Sequence, residues 1–171
     1  LDVDGKELQL EGGGTLPYDK LLLATGGVPK SLPAPGADLD GVYLLRSLAD
    51  ACALREAAAQ AQRVVIVGAG FIGAELASSF RMRDLDVTLV APESVLMERV
   101  FGPEVGRYLQ GLHEENGVRF RLGSSVKAFE GNGRVEKVML EDGTTLEADL
   151  VAVGVGVRPA VDFLEGTGLV E

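Results

Sequence analysis

Three glycines at fixed spacing are the residues whose pattern most directly indicates chemistry. Gly68, Gly70 and Gly73 follow the apolar run 64–67 and open a segment with apolar residues at helical spacing. In such a strand–turn–helix, the first glycine permits the turn, the second lets the backbone approach a pyrophosphate, and the third lets the helix pack on the strand. The helix N-terminus then faces the phosphates with unpaired N–H groups. We therefore predict a dinucleotide site that uses Gly68, Ala69, Gly70, Phe71, Ile72 and Gly73.

Ala91, Glu93 and Arg99 follow the next predicted strand and are the candidates for contacts with the adenosine ribose. An acid roughly 20 residues past the glycines hydrogen-bonds the 2′-OH in NADH sites, whereas NADPH sites place an arginine there. Ala91 occupies the expected position and can do neither. Glu93 is the nearest acid, so we expect its carboxylate to accept a hydrogen bond from the ribose 2′-OH and the site to favour NADH. Arg99 could instead bind a 2′-phosphate, or form a surface ion pair with Glu98 or Glu104.

Glu75 and the last buried run of the chain are the candidates for the nicotinamide end. Glu75 is expected in the first turn of the glycine-loop helix, where the helix dipole favours a carboxylate. It is either a helix-stabilising acid or a residue of the site. Val153, Gly154 and Gly156 end the predicted strand 149–154, beyond which ligands of parallel sheets bind. These glycines either let the backbone approach the nicotinamide or make a tight turn.

The one cysteine and the one histidine carry no predicted function. Cys52 lies on an Ala-rich helical face, where we expect a small buried hydrophobe. A single cysteine excludes an internal disulfide, a paired dithiol and a zinc site made from cysteines. His113 has no second histidine with which to hold a metal. We predict no metal site, so redox chemistry would need an organic cofactor.

Composition limits the class of protein. The chain has 171 residues, 46% hydrophobic and 25% charged, which is typical of a globular α/β protein with a sizeable core. A net charge of −10 without a Lys/Arg cluster argues against nucleic acid as a partner. No apolar run reaches the roughly 18 residues of a membrane helix. We expect a soluble cytoplasmic protein, and because Leu1 replaces an initiator Met we interpret the chain as a piece of a longer one.

The first forty residues predict parts of one domain followed by a linker. Runs 6–10 and 15–17 flank a glycine-rich turn and predict a hairpin. The continuous apolar run 20–25 predicts a strand buried on both faces. Prolines and a glycine interrupt 28–40, which predicts a linker between domains.

The chain from there to Gly156 predicts a Rossmann-like domain. Ser47, with Asp50 three residues later, predicts a capped helix start. One βαβ unit follows, with strands at 64–67 and 87–90 around the glycine loop and its helix. The expected fold class is therefore α/β, a parallel sheet with an antiparallel meander. The remaining predicted elements are a helix from Pro103 to Asn116-Gly117, a strand at 118–122, meander strands at 126–129, 135–140 and 144–146, and the strand 149–154.

Four separated motifs together resemble one family, the flavoprotein NADH:ferredoxin reductases that serve Rieske-type and cytochrome oxygenase systems, with their apoptosis-inducing-factor-like relatives. The motifs are Tyr18 to Gly26 (YDKLLLATG), Leu45 to Ala51 (LRSLADA), Val64 to Glu75, and Asp149 to Pro159 around Gly154-Val155-Gly156.

The resemblance implies FAD beside NAD(H), with NADP(H) possible. It implies hydride transfer from NADH to FAD, then electrons to a ferredoxin or Rieske-type iron–sulfur partner. It also implies a role near the nicotinamide for Glu75 and contacts to FAD for Arg46 and the segment Ala24, Thr25 and Gly26. The domains would be 1–40, the end of a first FAD-domain segment and a linker; 41–156, the NAD(P)H-binding domain; and 157–171, the return into the FAD domain.

Two family motifs are missing. The FAD glycine fingerprint and the Gly-Asp motif that contacts the ribityl chain are both absent, so we expect the chain alone to hold FAD poorly and to be inactive. The alternatives are an NADH oxidase or disulfide-reductase relative, which the single cysteine disfavours, and a nucleotide-sensing module without turnover.

Overall fold

A computed structural model describes residues 1–169. It divides them into two compact units, one made of residues 1–28 with residues from 157 onward, the other of residues 29–156. In chain order the elements are β1 (Glu7–Gln9), β2 (Thr15–Pro17), β3 (Gly27–Pro29), β4 (Val42–Leu44), α1 (Leu48–Ala58), β5 (Arg63–Val67), α2 (Phe71–Arg81), β6 (Asp86–Ala91), α3 (Glu98–Glu115), β7 (Arg119–Leu122), β8 (Val126–Glu130), β9 (Lys137–Leu140), β10 (Thr145–Glu147), β11 (Leu150–Val153), β12 (Val157–Pro159) and a 3₁₀ turn (Asp162–Leu164).

The larger unit is built on a parallel sheet of five strands in the order β4-β11-β5-β6-β7. Strands β5 and β11 are almost wholly buried, as expected of a sheet covered on both faces. On one face, Ile66 and Leu89 pack in a core with residues of α1 and α2. On the other, Val65 and Val90 pack against the antiparallel meander β10-β9-β8. The predicted α/β class, parallel sheet and meander are confirmed.

The start of α1 is confirmed, whereas α3 begins five residues before the predicted start. At α1 the Ser47 hydroxyl accepts a hydrogen bond from the Asp50 backbone N–H, and the Asp50 carboxylate accepts one from the Ser47 N–H, which makes a capping box. Helix α3 begins at Glu98 and contains a kink at Gly102, whose φ of 75° interrupts the helix just before Pro103. The predicted start at Pro103 is therefore the second part of this helix. None of the helices within residues 1–169 is long and apolar enough to cross a membrane.

The predicted buried strand at 20–25 is wrong. This segment has no regular structure, and Leu22 is 87% exposed. An apolar run forms a strand only where neighbouring strands satisfy its backbone groups, and no described strand pairs with it. The smaller unit contains instead the predicted hairpin β1–β2 and the pair β3–β12.

The proline-rich segment 28–40 is part of the larger unit rather than a free linker. Leu32 and Leu39 pack against the meander-side core, and the carbonyl of Pro35 accepts a hydrogen bond from the Phe129 N–H at 2.8 Å. Apolar residues between the prolines explain this packing, since they can be buried without regular structure. Strand β4, which directly follows, was not predicted because its three residues are too short for a periodic pattern.

Candidate functional site

Three segments of the larger unit meet at the carboxyl edge of the parallel sheet. The Gly68 N–H donates to the carbonyl of Val90 at 2.8 Å, and the Gly154 N–H donates to the carbonyl of Val67 at 2.8 Å. The glycine loop, the end of β6 and the end of β11 are thereby tied together where parallel α/β sheets bind ligands. The structure thus brings together the predicted glycine-loop, ribose and nicotinamide segments.

The three loop glycines meet different surroundings. Gly68 has a φ of +116°, and a Cβ there would lie 2.4 Å from the carbonyl oxygen of Gly154. A Cβ on Gly73 would lie 2.0 Å from the carbonyl oxygen of Gly68. A Cβ on Gly70 would meet nothing within 4 Å, and its φ is −88°. The fold therefore requires glycine at Gly68 and Gly73, whereas at Gly70 the absent side chain leaves space next to the loop.

The N-terminus of α2 is available to an anion. The helix begins at Phe71 without a side-chain cap, and its first helical hydrogen bond runs from the Ala74 N–H to the Gly70 carbonyl at 3.0 Å. The N–H groups before Ala74 are the unpaired donors that a phosphate can accept from. No acidic residue lies in the first turn to compete for them. The open space at Gly70 and these donors fit a pyrophosphate.

The predicted first-turn position of Glu75 is wrong. Because α2 begins at Phe71, Glu75 is the fifth helical residue and lies just beyond the first turn, in which the helix dipole acts. Its side chain is exposed and forms no ion pair or hydrogen bond with the described residues. A helix-stabilising role through the dipole therefore has no support, and a role towards a ligand stays a prediction.

Glu93 and Arg99 form an ion pair beside the glycine loop. The Arg99 Nε lies 2.7 Å from the Glu93 Oε1, so the predicted surface pairing of Arg99 with Glu98 or Glu104 is wrong. Glu98 instead accepts hydrogen bonds from the backbone N–H and hydroxyl of Ser94, and these bonds lower the pKa of Glu98. The geometric reason is that the loop after β6 turns back on itself before α3.

The ribose candidates lie close to the glycine loop. Glu93 and Arg99 line a small cavity of about 40 Å³ together with Ala69 and Gly70. Ala91 is buried in the helix-side core, so its side chain does not reach this cavity's mouth.

Met97 and Ser124 lie near the glycine loop and the end of β6 and were not predicted as part of the site. Met97 adopts left-handed φ and ψ of 54° and 24°, and its N–H donates to the Ala69 carbonyl at 2.8 Å. The Ser124 N–H donates to the Ala91 carbonyl at 3.1 Å, and its buried hydroxyl oxygen has no partner among residues 1–169. Left-handed backbone is rare for methionine, and no residue type in this loop signals it. The Met97 bond thus attaches the start of α3 to the glycine loop, and the Ser124 bond attaches the loop after β7 to the end of β6.

Phe71 and Ile72 are the side chains at the start of α2, directly after the glycine loop. Phe71 is exposed and makes an edge-to-face contact with Phe101, with ring centroids 5.7 Å apart. Ile72 covers Gly154, where an added Cβ would lie 3.3 Å from its Cγ2. Val153 is buried, and Gly156 has a φ of +110°. Gly156 therefore serves the tight turn, while Gly154 permits the close approach of α2.

The residues that the resemblance assigned to FAD fall in both units. Within the smaller unit, the Thr25 hydroxyl donates to the Ala160 carbonyl at 2.7 Å, and the Gly26 carbonyl accepts from the Ala160 N–H at 3.0 Å. Ala24 is exposed. Within the larger unit, the Arg46 N–H donates to the Asp50 carboxylate at 3.0 Å, just before α1.

A separate cavity of about 440 Å³ lies between the C-terminal halves of α2 and α3, away from the glycine loop. Apolar and polar residues line it in equal number, among them Arg81 and His113, and partial burial lowers the pKa of His113. Within residues 1–169, no cluster of His, Cys, Asp and Glu has the arrangement of a metal site.

Comparison with known proteins gives one family and several relatives. The family model described as pyridine nucleotide-disulphide oxidoreductase matches residues 1–170. The ferredoxin–NAD(+) reductase component of the biphenyl dioxygenase system of Paraburkholderia xenovorans is 38% identical over 99% of the chain and 41% of its own length. The ferredoxin reductase for the CYP199A2 system of Rhodopseudomonas palustris is similar in structure, with a TM-score of 0.92, 38% identity and coverage of 98% of this chain and 42% of that one.

A third relative shows the same architecture with a different acceptor. The water-forming NADH oxidase of Lactobacillus brevis, bound to NADH, has a TM-score of 0.84 and 32% identity over 95% of this chain and 37% of its own. The chain thus spans about two fifths of the length of the relatives it matches.

Proposed function

The chain belongs to the pyridine nucleotide-disulphide oxidoreductase family, and from this we propose that it is the NAD(P)H-binding portion of a flavoprotein oxidoreductase. In the whole protein, NADH would reduce FAD by hydride transfer, and electrons would then pass to a ferredoxin or Rieske-type iron–sulfur protein. The single observation that carries the proposal is the glycine loop at the carboxyl edge of the sheet, open at Gly70 and backed by the uncapped N-terminus of α2.

The chain's own residues would bind and orient the nucleotide. The residues Gly68, Ala69, Gly70, Phe71, Ile72 and Gly73 would hold the pyrophosphate through backbone donors. Glu93 would accept a hydrogen bond from the adenosine 2′-OH, which favours NADH over NADPH. Val153, Gly154 and Gly156 would lie against the nicotinamide end, with Glu75 near it. Ala91 would contribute backbone only, since its side chain is buried.

FAD would depend on parts of the protein beyond these residues. The sequence contains one G-x-G-x-x-G motif, and that motif is the one assigned here to the pyridine nucleotide. Ala24, Thr25, Gly26 and Arg46 are the residues of this chain that we propose to contact FAD. The chain by itself would then bind nucleotide without turnover.

We also propose which residues belong to the NAD(P)H-binding domain and which to the FAD-binding domain. Residues 41–156 would form the NAD(P)H-binding domain, and residues 1–40 and 157–171 would belong to the FAD-binding domain and its linker. The packing of the segment 32–39 on the larger unit favours a first boundary near residue 29. A cytoplasmic location completes the proposal, because the site needs access to the cellular pool of reduced nicotinamide nucleotide.

The acceptor is the least constrained part of the proposal. Relatives of comparable similarity include ferredoxin reductases and a water-forming oxidase. The iron–sulfur acceptor is favoured over oxygen because the ferredoxin reductases have a higher identity and a higher TM-score than the water-forming oxidase. The oxidase alternative stays open, since the nucleotide half described here would serve either acceptor.

Titration of the longer protein with NADH, followed in the visible spectrum, tests the proposal. We expect the flavin absorbance to bleach on NADH addition and to recover when an oxidised ferredoxin is supplied under anaerobic conditions. Bleaching that reverses only with oxygen would instead support an oxidase. A spectrum unchanged by NADH would contradict the hydride route itself.

A further inference from the structure

Lys30 lies beside Gly156, one of the residues proposed to lie against the nicotinamide. The Lys30 N–H donates to the Gly156 carbonyl at 2.9 Å. A Cβ added at Gly156 would lie 4.0 Å from the Lys30 Cδ, the one atom of residues 1–169 within that distance apart from the neighbours of Gly156 in the chain. The Lys30 ammonium is two bonds beyond Cδ, at most about 2.5 Å away from it. The positive charge therefore lies within about 6.5 Å of the open side of Gly156.

The charge of Lys30 has no acidic partner in the described part of the chain. The side chain is exposed and forms no hydrogen bond or ion pair with residues 1–169. The segments 28–33 and 152–160, which surround Lys30 and Gly156 in the sequence, contain no Asp or Glu. Glu75, the acid proposed near the nicotinamide, forms no ion pair with Lys30 either. The ammonium is therefore available to act on a ligand that lies over Gly156.

The oxidised and reduced nucleotides differ in charge at the nicotinamide end. Hydride transfer removes one hydrogen with two electrons from the neutral dihydronicotinamide and leaves the ring with one positive charge. The pyrophosphate and both riboses are unchanged by this step. A cation beside the ring therefore repels NAD⁺ and not NADH, whereas its attraction for the pyrophosphate is the same for both nucleotides.

We propose that Lys30 lowers the affinity of the site for NAD⁺ relative to NADH, so that repulsion between two cations helps the oxidised nucleotide to leave after hydride transfer. The inference rests on the nucleotide site proposed above, and within it on the placement of the nicotinamide against Gly156. For two unit charges about 7 Å apart, repulsion corresponds to about a threefold change in dissociation constant even with the dielectric constant of water, and to more at a protein surface.

A series of charges at position 30 tests the inference, because the bond between this residue's backbone N–H and Gly156 can remain in every variant. In Lys30→Gln, the dissociation constant of NAD⁺ divided by that of NADH should fall about threefold. In Lys30→Glu this ratio should fall about tenfold, because a carboxylate attracts the oxidised ring. Lys127→Gln is the matched control and should leave the ratio unchanged, since Lys127 is an exposed lysine of β8 in the same unit without an ion pair among residues 1–169.

Ionic strength gives a second readout, which a purely structural role of Lys30 would not produce. The Debye length falls from about 30 Å at 0.01 M salt to about 3 Å at 1 M. The ratio for the unmodified chain should therefore fall towards that of Lys30→Gln as salt is added, whereas the ratio for the variant should change less. Weaker binding of the pyrophosphate at high salt affects both nucleotides and largely cancels in the ratio.

The experiment measures the dissociation constants of NADH and NAD⁺ for the 171-residue chain by calorimetry, first at low and then at high ionic strength. No flavin is needed. A lower ratio in Lys30→Gln, a still lower one in Lys30→Glu and an unchanged one in Lys127→Gln support the inference. An equal change for both nucleotides, or no change for either, overturns it while the nucleotide site stands. Failure of the unmodified chain to bind either nucleotide overturns the proposed site as well.

Discussion

Gly70 and Gly73 lie three positions apart in the glycine loop, but a Cβ added at each would have different surroundings. At Gly73 the reason lies inside the protein, because an added Cβ would lie 2.0 Å from the Gly68 carbonyl oxygen. At Gly70 nothing in residues 1–169 lies within 4 Å of an added Cβ, so packing does not require glycine there, and we propose that the close approach of a ligand does.

Alanine at each position therefore separates folding from binding. Gly73→Ala should lower the free energy of unfolding by about 2 kcal/mol or more, since backbone atoms must move. Gly70→Ala should cost less than about 1 kcal/mol, the effect of a poorer N-cap residue, yet weaken NADH binding at least about tenfold. Urea denaturation and NADH titration of both variants measure this. Equal stability of the two variants, or unchanged NADH affinity in Gly70→Ala, would contradict the assignment.

Glu75 gives a second test at this scale. Its carboxylate has no ion-pair or hydrogen-bond partner in the described residues, so Glu75→Ala should change stability by less than about 0.5 kcal/mol. In the flavin-loaded longer protein we expect it to slow flavin reduction by NADH about tenfold while changing the affinity for ADP-ribose less than about twofold. Stopped-flow reduction measures the rate, and Glu104→Ala on α3 is the control. An unchanged reduction rate would leave Glu75 without a role in the site.

Among the elements, the amino ends of β5 and β11 are joined by one carboxylate. Asp149 accepts hydrogen bonds from the backbone N–H groups of Gln62 and Arg63, at 3.1 and 2.8 Å, and from the Arg63 guanidinium at 2.6 Å. The side-chain bond from Arg63 is the main cause that lowers the pKa of Asp149 from 3.8 to about 2. Both strands carry site residues at their other ends, so this contact helps to align them.

Asp149→Asn should therefore destabilise the protein at neutral pH. A pKa difference of this size corresponds to about 2.5 kcal/mol at most, and we expect about 1 kcal/mol because the side chain is 29% exposed and screened by solvent. A carboxyl whose pKa is lower in the folded state contributes stability above its unfolded value. That contribution should be lost as the pH falls from about 4 to about 2. Urea denaturation across this range, with Asp38→Asn as the exposed control, measures it. A difference independent of pH would show that the charge plays no part.

The elements also show which parts of the fold local sequence could predict. The βαβ unit and the meander were predicted because their apolar periodicity, Gly-rich turns and Asn-Gly and Asp-Gly pairs agree with their final environment. The segment 20–25 failed because burial of a strand depends on neighbours that its own residues do not specify. The packing of 32–39 was missed because prolines indicate that a segment lacks regular structure, but they do not indicate which other residues it contacts.

The candidate site also contains features that the sequence predicted and features that it did not. The glycine loop was predictable because Gly68 and Gly73 meet local geometric needs and the spacing of all three glycines is a known local pattern. The Glu93–Arg99 pair and the attachment of Met97 to Ala69 were not, because they depend on how the loop after β6 folds back. Glu75 misses the predicted first turn by about one residue, which is the ordinary error in placing a helix start.

In the whole molecule, we expect residues 29–156 to suffice for binding a pyridine nucleotide. Every residue proposed to contact NADH lies in that compact unit. Residues proposed to contact FAD are divided between the two units, and the sequence offers no second phosphate-binding loop. The purified chain should therefore lack flavin absorbance and still bind NADH.

Calorimetric titration of the 171-residue chain with NADH tests this claim most directly. We predict a saturable binding heat, a matching change in NADH fluorescence, and a visible spectrum without the flavin bands. Gly70→Ala serves as the folded control with weakened binding. A sample shown by circular dichroism to be folded that gives neither heat nor a fluorescence change at millimolar NADH would contradict the account.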